Sequence, residues 1–351
     1  MFVPGPVDVA QEVLDILTKP VLPHRSKEYE EIFRRAASKC EKLFYTKDRV
    51  FIGTHSGSGM QEVGVRNLAQ KDILVCINGA FSERWYSVGT TNGKEVDRLE
   101  AEWGKPIEPE ALRSALQKKH YEAVAIVHNE TSVGLENPVK ELCAVIKEVS
   151  PDSMIMVDAV SSLAGTKIEM DACGIDFLLT SSQKCLALPP GISLAGVSDR
   201  ALEKAETVEN RGWYFDLLRM EKHRNKNTTA MTSAVSLVYA LDYKLDRIFE
   251  EGLDARFARH AAMAQRVYDW AVEHGMDSLA DHQYRSKTVA TIKNTQNIDI
   301  PKLNAYLLEK GMRIANGYGN LKNVTFRIAT MGETQMSDIN ELLTYIDEFM
   351  K

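Results

Sequence analysis

The sequence predicts an α/β protein whose main sheet is largely parallel. Short, continuous apolar runs recur through the first two thirds of the chain, and amphipathic stretches with helical spacing alternate with them. Continuous apolar runs of about four to six residues are typical of strands that are covered on both faces. Their alternation with helices favours a parallel sheet over a hairpin-built one.

The predicted strands of this sheet are residues 50–52, 73–77, 123–127, 154–157, 177–179 and 192–197. The helices predicted between them are residues 61–69, 110–120 and 139–149. Ligands of such sheets bind at the carboxyl ends of the strands. The residues that follow each apolar run are therefore the first candidates for a functional site.

From about residue 251 the pattern changes to long helices separated by single strands. Helices are predicted at 255–274, at 301–310 and from 337 to the end, and strands at 288–292 and 324–329. The strand at 288–292 alternates as a half-exposed strand does. We predict a large domain at residues 15–250 and a small α+β domain at residues 251–351.

The composition is that of a globular protein and excludes several functions. The chain has 351 residues, with 43 Lys and Arg against 49 Asp and Glu, a net charge of -6. Proteins that bind nucleic acid usually carry an excess of basic residues, and this chain does not. Nucleic-acid binding is therefore not expected. No apolar stretch reaches the length of a membrane span, and the start of the chain lacks the features of a signal peptide. Five scattered cysteines favour reduced thiols in the cytoplasm, and dispersed histidines predict no metal site.

The first candidate site is the segment 54–60, with the sequence THSGSGM, between a predicted strand and a predicted helix. Small residues let backbone N–H groups approach an anion, and the start of a helix adds a partial positive charge. The segment is interpreted as a phosphate-binding turn, with a flexible connection as the alternative. A dinucleotide-binding motif is disfavoured because Glu62 stands where its third glycine belongs.

Asp158 and Lys184 follow two consecutive apolar runs. A carboxylate at a buried strand end costs several kcal/mol of desolvation unless it is paired. Ser or Asn donors would satisfy Asp158, and so would the cationic ring nitrogen of a cofactor. A surface position is the ordinary alternative for Lys184. A phosphate-binding turn, a buried carboxylate and a lysine together are the set that pyridoxal phosphate requires.

The chain resembles the class V pyridoxal-phosphate-dependent aminotransferases, close to the alanine–glyoxylate and serine–pyruvate group. The resemblance covers nearly the whole chain and implies the fold type I architecture, with residues 1–14 near the mouth of the active site. It rests on eight segments in order: Pro4-Gly5-Pro6, His24-Arg25-Ser26, Ser56-Gly57-Ser58-Gly59, Asn78-Gly79-Ala80-Phe81, His128 to Gly134, Val157 to Ser162, Ser182-Gln183-Lys184 with Pro189-Pro190-Gly191, and Phe326-Arg327-Ile328.

The resemblance also implies residue roles. Lys184 is expected to form the Schiff base with the cofactor, and Asp158 to contact its pyridine nitrogen. Arg327 is expected to bind the α-carboxylate of the substrate, which suits a fork of donors, and Gly5 to lie at the substrate. The other implied cofactor contacts are Ser58, Gly59, Met60 (through its backbone) and Gln183 at the phosphate, Phe81 stacked on the ring, Thr131 near the phenolic oxygen, and Thr232 from the second subunit of a homodimer.

The predicted reaction is transamination, in which alanine or serine gives its amino group to glyoxylate or pyruvate. One alternative is a lyase of the same fold, of the cysteine desulfurase type, which needs a nucleophilic cysteine late in the chain. The last cysteine is Cys185, next to Lys184, so this alternative is disfavoured. The other alternative is a catalytically idle subunit of a larger complex, which the set Asp158, Lys184 and Arg327 disfavours.

Overall fold

The computed structural model describes residues 1–351. Its strands are β1 (Arg49–Gly53), β2 (Asp72–Ile77), β3 (Glu95–Glu100), β4 (Ala123–Val127), β5 (Asn129–Glu130), β6 (Leu135–Glu136), β7 (Met154–Asp158), β8 (Phe177–Ser181), β9 (Ser193–Val197), β10 (Val289–Lys293), β11 (Ala315–Asn316) and β12 (Thr325–Ala329). Its α-helices are α1 (Gln11–Leu17), α2 (Lys27–Phe44), α3 (Gly57–Leu68), α4 (Ala80–Thr91), α5 (Pro109–Lys118), α6 (Val139–Val149), α7 (Met170–Cys173), α8 (Asp199–Thr207), α9 (Leu217–Arg224), α10 (Val235–Glu251), α11 (Leu253–Glu273), α12 (Ile300–Glu309) and α13 (Met336–Met350). No helix combines the length and the apolar content that a membrane span requires.

The main sheet has seven strands in the order β1-β9-β8-β7-β4-β2-β3. All of them run in one direction except β9, which is antiparallel to both of its neighbours. The predicted mainly parallel sheet is therefore confirmed. The edge strand β3 was not predicted, because charged side chains such as Asp97 and Arg98 interrupt its apolar pattern and stay accessible to solvent at the sheet edge.

Both faces of the sheet are covered, which explains the continuous apolar runs. Successive side chains of β4 alternate between two hydrophobic clusters. Ala123, Ala125 and Val127 belong to one cluster, and Val124 and Ile126 belong to the other. A strand whose two faces are both buried has no position at which a polar side chain is favoured.

The strand register brings the carboxyl ends of β1, β4, β7 and β8 to one edge of the sheet. Val127 lies opposite Asp158 in the parallel pair of β4 and β7. Ser193, the first residue of β9, lies opposite both Gly53 and Ser181. The residues that follow these strands are therefore neighbours in space, as the rule for parallel sheets requires.

A second, antiparallel sheet of the order β10-β12-β11 lies in the C-terminal part of the chain. It packs in a hydrophobic cluster of its own, together with apolar residues of α11, α12 and α13. The predicted change of pattern near residue 251 coincides with Gly252, which separates α10 from α11 at a φ of 84°. Phe2 also belongs to this cluster and bridges to Ile314, so the start of the chain lies along this second sheet.

Arg256 on α11 ties the C-terminal helices to the loops of the main sheet. Its side chain is almost completely buried, at 1% exposure. The guanidinium donates to the backbone carbonyls of Ala164 (3.0 Å), Cys185 (2.8 Å) and Gly332 (3.1 Å) and pairs with the carboxylates of Glu251 (2.6 Å) and Glu333 (3.1 Å). Because Cys185 follows Lys184, this contact also holds the segment that carries the lysine.

We expect Arg256→Met to destabilise the protein by about 3–5 kcal/mol, because it breaks a buried ion-pair network and leaves the carbonyls of Ala164 and Cys185 without this donor. The measurement is urea denaturation followed by circular dichroism. The matched control is Arg266→Met on the same helix, where the pair with Glu273 is 3.7 Å long and half-exposed. The control should change stability by less than about 0.5 kcal/mol. A loss in Arg256→Met no larger than that of the control would contradict the structural role of Arg256.

Candidate active site

A cavity of about 180 Å³ lies at the edge of the sheet where the strand ends meet. Its walls come from the start of α3, the first turn of α4 and the segments that follow β4, β7 and β8. Six of the predicted site residues line it together: Ser58, Phe81, Thr131, Asp158, Gln183 and Lys184. The sequence positions of these residues span more than a third of the chain, so only the fold brings them into contact with one space.

Asp158 ends β7 and is buried at 5% exposure. One carboxylate oxygen accepts a hydrogen bond from the Val160 N–H (2.9 Å). The other accepts from Gln61 Nε2 (2.7 Å) and from Trp85 Nε1 (3.3 Å). Burial raises the pKa of Asp158, and these donors act against that rise. A cation next to Asp158 would favour its ionised form further.

Lys184 follows β8 and meets the N-terminal segment inside the site. Its ammonium donates to the backbone carbonyl of Pro4, and the Val7 N–H donates to the carbonyl of Gln183 (3.2 Å). Burial, with a smaller contribution from the charge of Arg327, lowers the pKa of Lys184 to about 8. An amine with this pKa is available in its neutral form close to physiological pH.

Gly5, which was predicted at the substrate, packs against the stem of Lys184. A Cβ atom at this position would lie 2.6 Å from Lys184 Cδ, and the φ of +88° is one that side chains with a Cβ rarely adopt. Both the space and the backbone conformation therefore require glycine here. The structure places Gly5 at the lysine, and its contact with a substrate stays a prediction.

Helix α3 begins at Gly57, four residues earlier than predicted from the sequence. The N–H groups of Gly59 and Met60 therefore donate to the Ser56 carbonyl, at 3.0 and 3.3 Å. The Met60 side chain is buried in the hydrophobic cluster on one face of the sheet. Neither residue lines the cavity, and their predicted contact with the phosphate stays a prediction.

The N–H groups of Gly57 and Ser58, in contrast, have no acceptor in the protein. Both residues line the cavity. A Cβ atom on Gly57 would lie 2.9 Å from Val160 Cγ2, so a larger residue would crowd this wall. The start of α3 thus presents free donors to the cavity, together with the partial positive charge of the helix end.

Phe81 and Thr131 are both next to Glu130, a buried carboxylate that the sequence analysis missed. Glu130 accepts hydrogen bonds from the N–H groups of Phe81 (3.1 Å) and Ser82 (2.8 Å) at the start of α4, and from the Ser132 hydroxyl (2.6 Å). Burial raises the pKa of Glu130, and these donors oppose the rise. Glu130 therefore holds the first turn of α4, and with it Phe81, against the segment that carries Thr131.

Arg327 lies on β12 and is buried at 8% exposure, just outside the cavity wall. Its Nε donates to the Asn316 carbonyl (3.1 Å) and its Nη1 to the carbonyl of Thr131 (3.4 Å), which links it to the cavity. It forms no ion pair with an Asp or Glu, and burial lowers its pKa to about 10. A buried guanidinium without a carboxylate partner suits a ligand that brings a carboxylate of its own.

Thr232 lies outside this cavity, in the same chain, and lines a separate one with Thr54, His55 and Tyr214. Within one chain it does not meet Lys184 or Asp158. This position agrees with the expectation that Thr232 serves a second subunit, which stays a prediction.

Several residues at the cavity were missed by the sequence analysis, although their spacing carries a signal. Gln61 follows Ser58 by one helical turn, and Arg84 and Trp85 follow Phe81 in the same way. Ser181 is the last residue of β8, at the carboxyl edge where ligands are expected. Glu130 lacks a comparable signal, because its backbone partners at Phe81 and Ser82 are 48 or more positions away in the sequence.

The cavity fits pyridoxal phosphate by its chemistry. Ser181 Oγ, Gln61 Oε1 and Asn129 Oδ1 are buried atoms without a hydrogen-bond partner, and all three residues line the cavity. Buried polar atoms in native proteins are normally satisfied, so these atoms favour a polar ligand. Asp158 would hold a cationic ring nitrogen, the start of α3 a phosphate, and Lys184 the aldehyde carbon.

Residues 15–337 match the family described as Aminotransferase class-V. The chain belongs to the class-V aminotransferase family. Pyridoxal phosphate is the cofactor of this class, and this aminotransferase is an enzyme of the transferase type. The resemblance inferred from the sequence motifs is thus confirmed.

Curated relatives of this aminotransferase cover nearly its full length. An uncharacterized aminotransferase of Methanocaldococcus jannaschii is 34% identical over 100% of this chain and 92% of its own. A soluble hydrogenase 42 kDa subunit of Anabaena cylindrica is 32% identical over 97% of this chain and 90% of its own. A serine–glyoxylate aminotransferase of Methylorubrum extorquens is 29% identical over 97% and 87%.

Two solved structures show the fold. An aspartate aminotransferase of subgroup IV from Thermus thermophilus has a TM-score of 0.92 at 30% identity, covering 99% of this chain and 98% of its own. An alanine–glyoxylate aminotransferase from Nostoc sp. has a TM-score of 0.94 at 25% identity, covering 100% and 94%. The predicted fold type I architecture is confirmed.

We expect the Lys184 amine of the cofactor-free protein to titrate near pH 8, because burial lowers its pKa to about 8. Its reactivity should therefore level off above this pH, whereas exposed lysines gain reactivity up to about pH 10.4. Competitive labelling with acetic anhydride between pH 6.5 and 11, read by peptide mass spectrometry, measures each lysine separately. Reactivity of Lys184 that rises in parallel with that of the surface lysines would contradict the shifted pKa.

Proposed function

We propose that this aminotransferase moves the amino group of a small amino acid, alanine or serine, to glyoxylate or pyruvate. The observation that carries the proposal is the placement of Lys184 and Asp158 in one cavity, with the unpaired guanidinium of Arg327 beside it. Relatives named for serine–glyoxylate and alanine–glyoxylate aminotransfer support this substrate class. Relatives named for aspartate make aspartate the donor to test against alanine and serine.

Each charged residue has a separate task in the proposed reaction. Pyridoxal phosphate, when bound, supplies a ring that takes up the negative charge left when the α-proton of the amino acid is removed. Asp158 favours the protonated ring nitrogen on which this uptake depends. Lys184 accepts the α-proton and returns it, for which a pKa of about 8 is suitable near neutral pH. Arg327 binds the α-carboxylate and thereby orients the α-carbon.

The proposal extends to the domains, the subunits and the compartment. We infer an N-terminal segment at residues 1–14, a large domain at 15–250 and a small domain at 251–351, which the separate C-terminal cluster and Gly252 support.

We also infer a homodimer in which Thr232 reaches the site of the other subunit. Exposed aromatic side chains at Trp213 (64%) and Tyr214 (41%) support a covered surface near Thr232. Five free thiols support a cytoplasmic location.

A lyase that uses Cys185 as a nucleophile is poorly supported by the geometry. Cys185 is fully buried, and its thiol faces the Ser161 carbonyl at 3.5 Å. Burial raises the pKa of Cys185 to about 12, so the reactive thiolate is scarce. A solved cysteine desulfurase from Thermococcus onnurineus shares the fold at only 13% identity, which carries no information about the reaction.

A subunit without catalysis is the second candidate, because two relatives are named as soluble hydrogenase subunits, at 32% and 31% identity. This candidate predicts a protein that forms a complex and does not turn over amino acids. It does not require the shifted pKa of Lys184 or the unpaired Arg327. Single-turnover chemistry separates the two candidates directly.

We expect the holoenzyme, without an oxo acid, to convert its cofactor from the aldehyde to the amine form when alanine or serine is added. Absorbance follows the conversion, and aspartate serves as the competing donor. Arg327→Met should lower kcat/KM for alanine roughly 100-fold, because a charge-assisted pair contributes about 1.5–3 kcal/mol. Alaninamide, which lacks the carboxylate, should react equally with both proteins. Absence of conversion with every donor would favour the non-catalytic subunit, and ammonia release without conversion would favour the lyase.

Subunit mixing tests the shared site. We expect Thr232→Ala to weaken cofactor binding and Lys184→Ala to abolish activity, and a mixed dimer of the two variants to recover one complete site. That site combines the intact Lys184 of one subunit with the intact Thr232 of the other. The control is a chain that carries both substitutions, mixed with wild type, which leaves each remaining lysine beside a substituted Thr232. If mixing restores nothing, Thr232 does not act across a subunit interface.

A further inference from the structure

Arg84 is a cation in the cavity wall without a counter-charge. It lies on α4, one helical turn after Phe81, and lines the same cavity as Asp158 and Lys184. Its Nη1 donates to Ser58 Oγ at 3.2 Å, and its Cζ lies 5.0 Å from the centre of the Phe81 ring. No Asp or Glu forms an ion pair with it in the structure. Its guanidinium therefore retains donors that nothing in the protein uses.

A second, independent group points into the same corner of the cavity. Ser181, at the end of β8, is completely buried, and its hydroxyl has no hydrogen-bond partner. The Cβ position of Gly57 lies 3.4 Å from this hydroxyl, so the hydroxyl stands directly under the start of α3. A buried hydroxyl is rarely left unsatisfied, and here it adjoins the free N–H groups of Gly57 and Ser58. The Ser181 hydroxyl and the N–H groups of Gly57 and Ser58 are therefore hydrogen-bond donors close to one another, and the protein provides no acceptor for them.

Charge balance indicates what such a corner binds. A phosphate ester carries about -1.5 to -2 charges at pH 7, whereas a helix N-terminus contributes only about +0.5. The phosphate contacts implied by the family resemblance, at Ser58, Gly59, Met60, Gln183 and Thr232, are all uncharged. Transfer of a doubly charged anion into a half-buried site is unfavourable without a fixed cation. Arg84 is the cation that touches the phosphate-binding turn, through Ser58.

We propose that Arg84 and Ser181 bind the phosphate group of the cofactor, Arg84 as its counter-charge and Ser181 as a buried donor. The inference rests on the cofactor and on this corner of the cavity, and it is independent of which amino acid is the substrate. The planar fork of a guanidinium suits a phosphate, because two N–H groups donate to two oxygens in parallel. Its stacking on Phe81 holds the fork in place toward Ser58.

The experiment compares three ligands of the cofactor-free protein: pyridoxal phosphate, pyridoxal and inorganic phosphate. Arg84→Met keeps a stem that packs on Phe81 and removes the charge. We expect it to weaken binding of pyridoxal phosphate roughly 10- to 100-fold, as for a lost charge-assisted pair, and to change binding of pyridoxal less than about threefold. Inorganic phosphate should raise the melting temperature of the wild-type protein and not that of Arg84→Met.

Two further variants keep the test decisive if Arg84→Met folds poorly. Arg84→Lys, which retains the charge, should recover part of the affinity, and Ser181→Ala should weaken pyridoxal phosphate roughly 3- to 10-fold without affecting pyridoxal. The matched control is Arg98→Met. Arg98 stacks on Tyr86 of the same helix at 4.5 Å, but it pairs with Glu83 and Glu100 and is absent from the cavity wall. It should leave the binding of all three ligands unchanged.

Equal weakening of pyridoxal phosphate and pyridoxal by Arg84→Met would overturn the proposal, because the role of Arg84 would then be to position Phe81. Unchanged affinity for pyridoxal phosphate in both Arg84→Met and Ser181→Ala would overturn it as well. The substrate assignment can fail while this proposal stands, because none of these measurements involves an amino acid or an oxo acid.

Discussion

The burial of uncompensated charge is the constraint on which the site depends. Lys184 and Arg327 are both buried cations without a carboxylate partner, and Asp158 is a buried carboxylate held only by neutral donors. Each of these states costs free energy in the protein alone. The same burial lowers the pKa values of the two cations and raises that of the acid. A ligand with a cationic nitrogen and anionic groups compensates all three charges. The free energy that their burial costs in the free protein therefore favours binding of such a ligand.

The rest of the fold supplies the stability that such a site requires. The sheet is apolar on both faces, and its register alone brings four strand ends together without any contact between the functional side chains. Two buried side chains then fix the individual segments. Glu130 holds the first turn of α4 through backbone N–H groups, and Arg256 holds the segment after Lys184 through backbone carbonyls. Both act on backbone groups and thereby restrain the positions of these two segments.

The sequence predicted the sheet well because the physical signal is local. A strand that is covered on both faces needs a continuous apolar run, and this pattern is visible in the local sequence alone. Strand β4 and helix α6 begin and end at the predicted residues. The start of α3 was predicted four residues late, because Gly57 and Gly59 have low helix propensity and only the tertiary setting makes them helical. Asp158 and Lys184 were accessible from strand ends and charge, whereas Arg327 and Thr131 came from the family resemblance. Arg84, Ser181 and Glu130 were missed because their roles arise from contacts between distant segments.

The N-terminal segment has a consequence for the order in which the site can form. Phe2 bridges to Ile314 and accepts from the Ala329 N–H, and Val7 donates to Gln183, while Pro4 accepts from the lysine between them. These contacts join residues that are separated by as many as 327 positions. During synthesis the segment leaves the ribosome long before the strand that it must join. Closing so long a loop is a late event, so the lysine completes its native surroundings only after nearly the whole chain has been made.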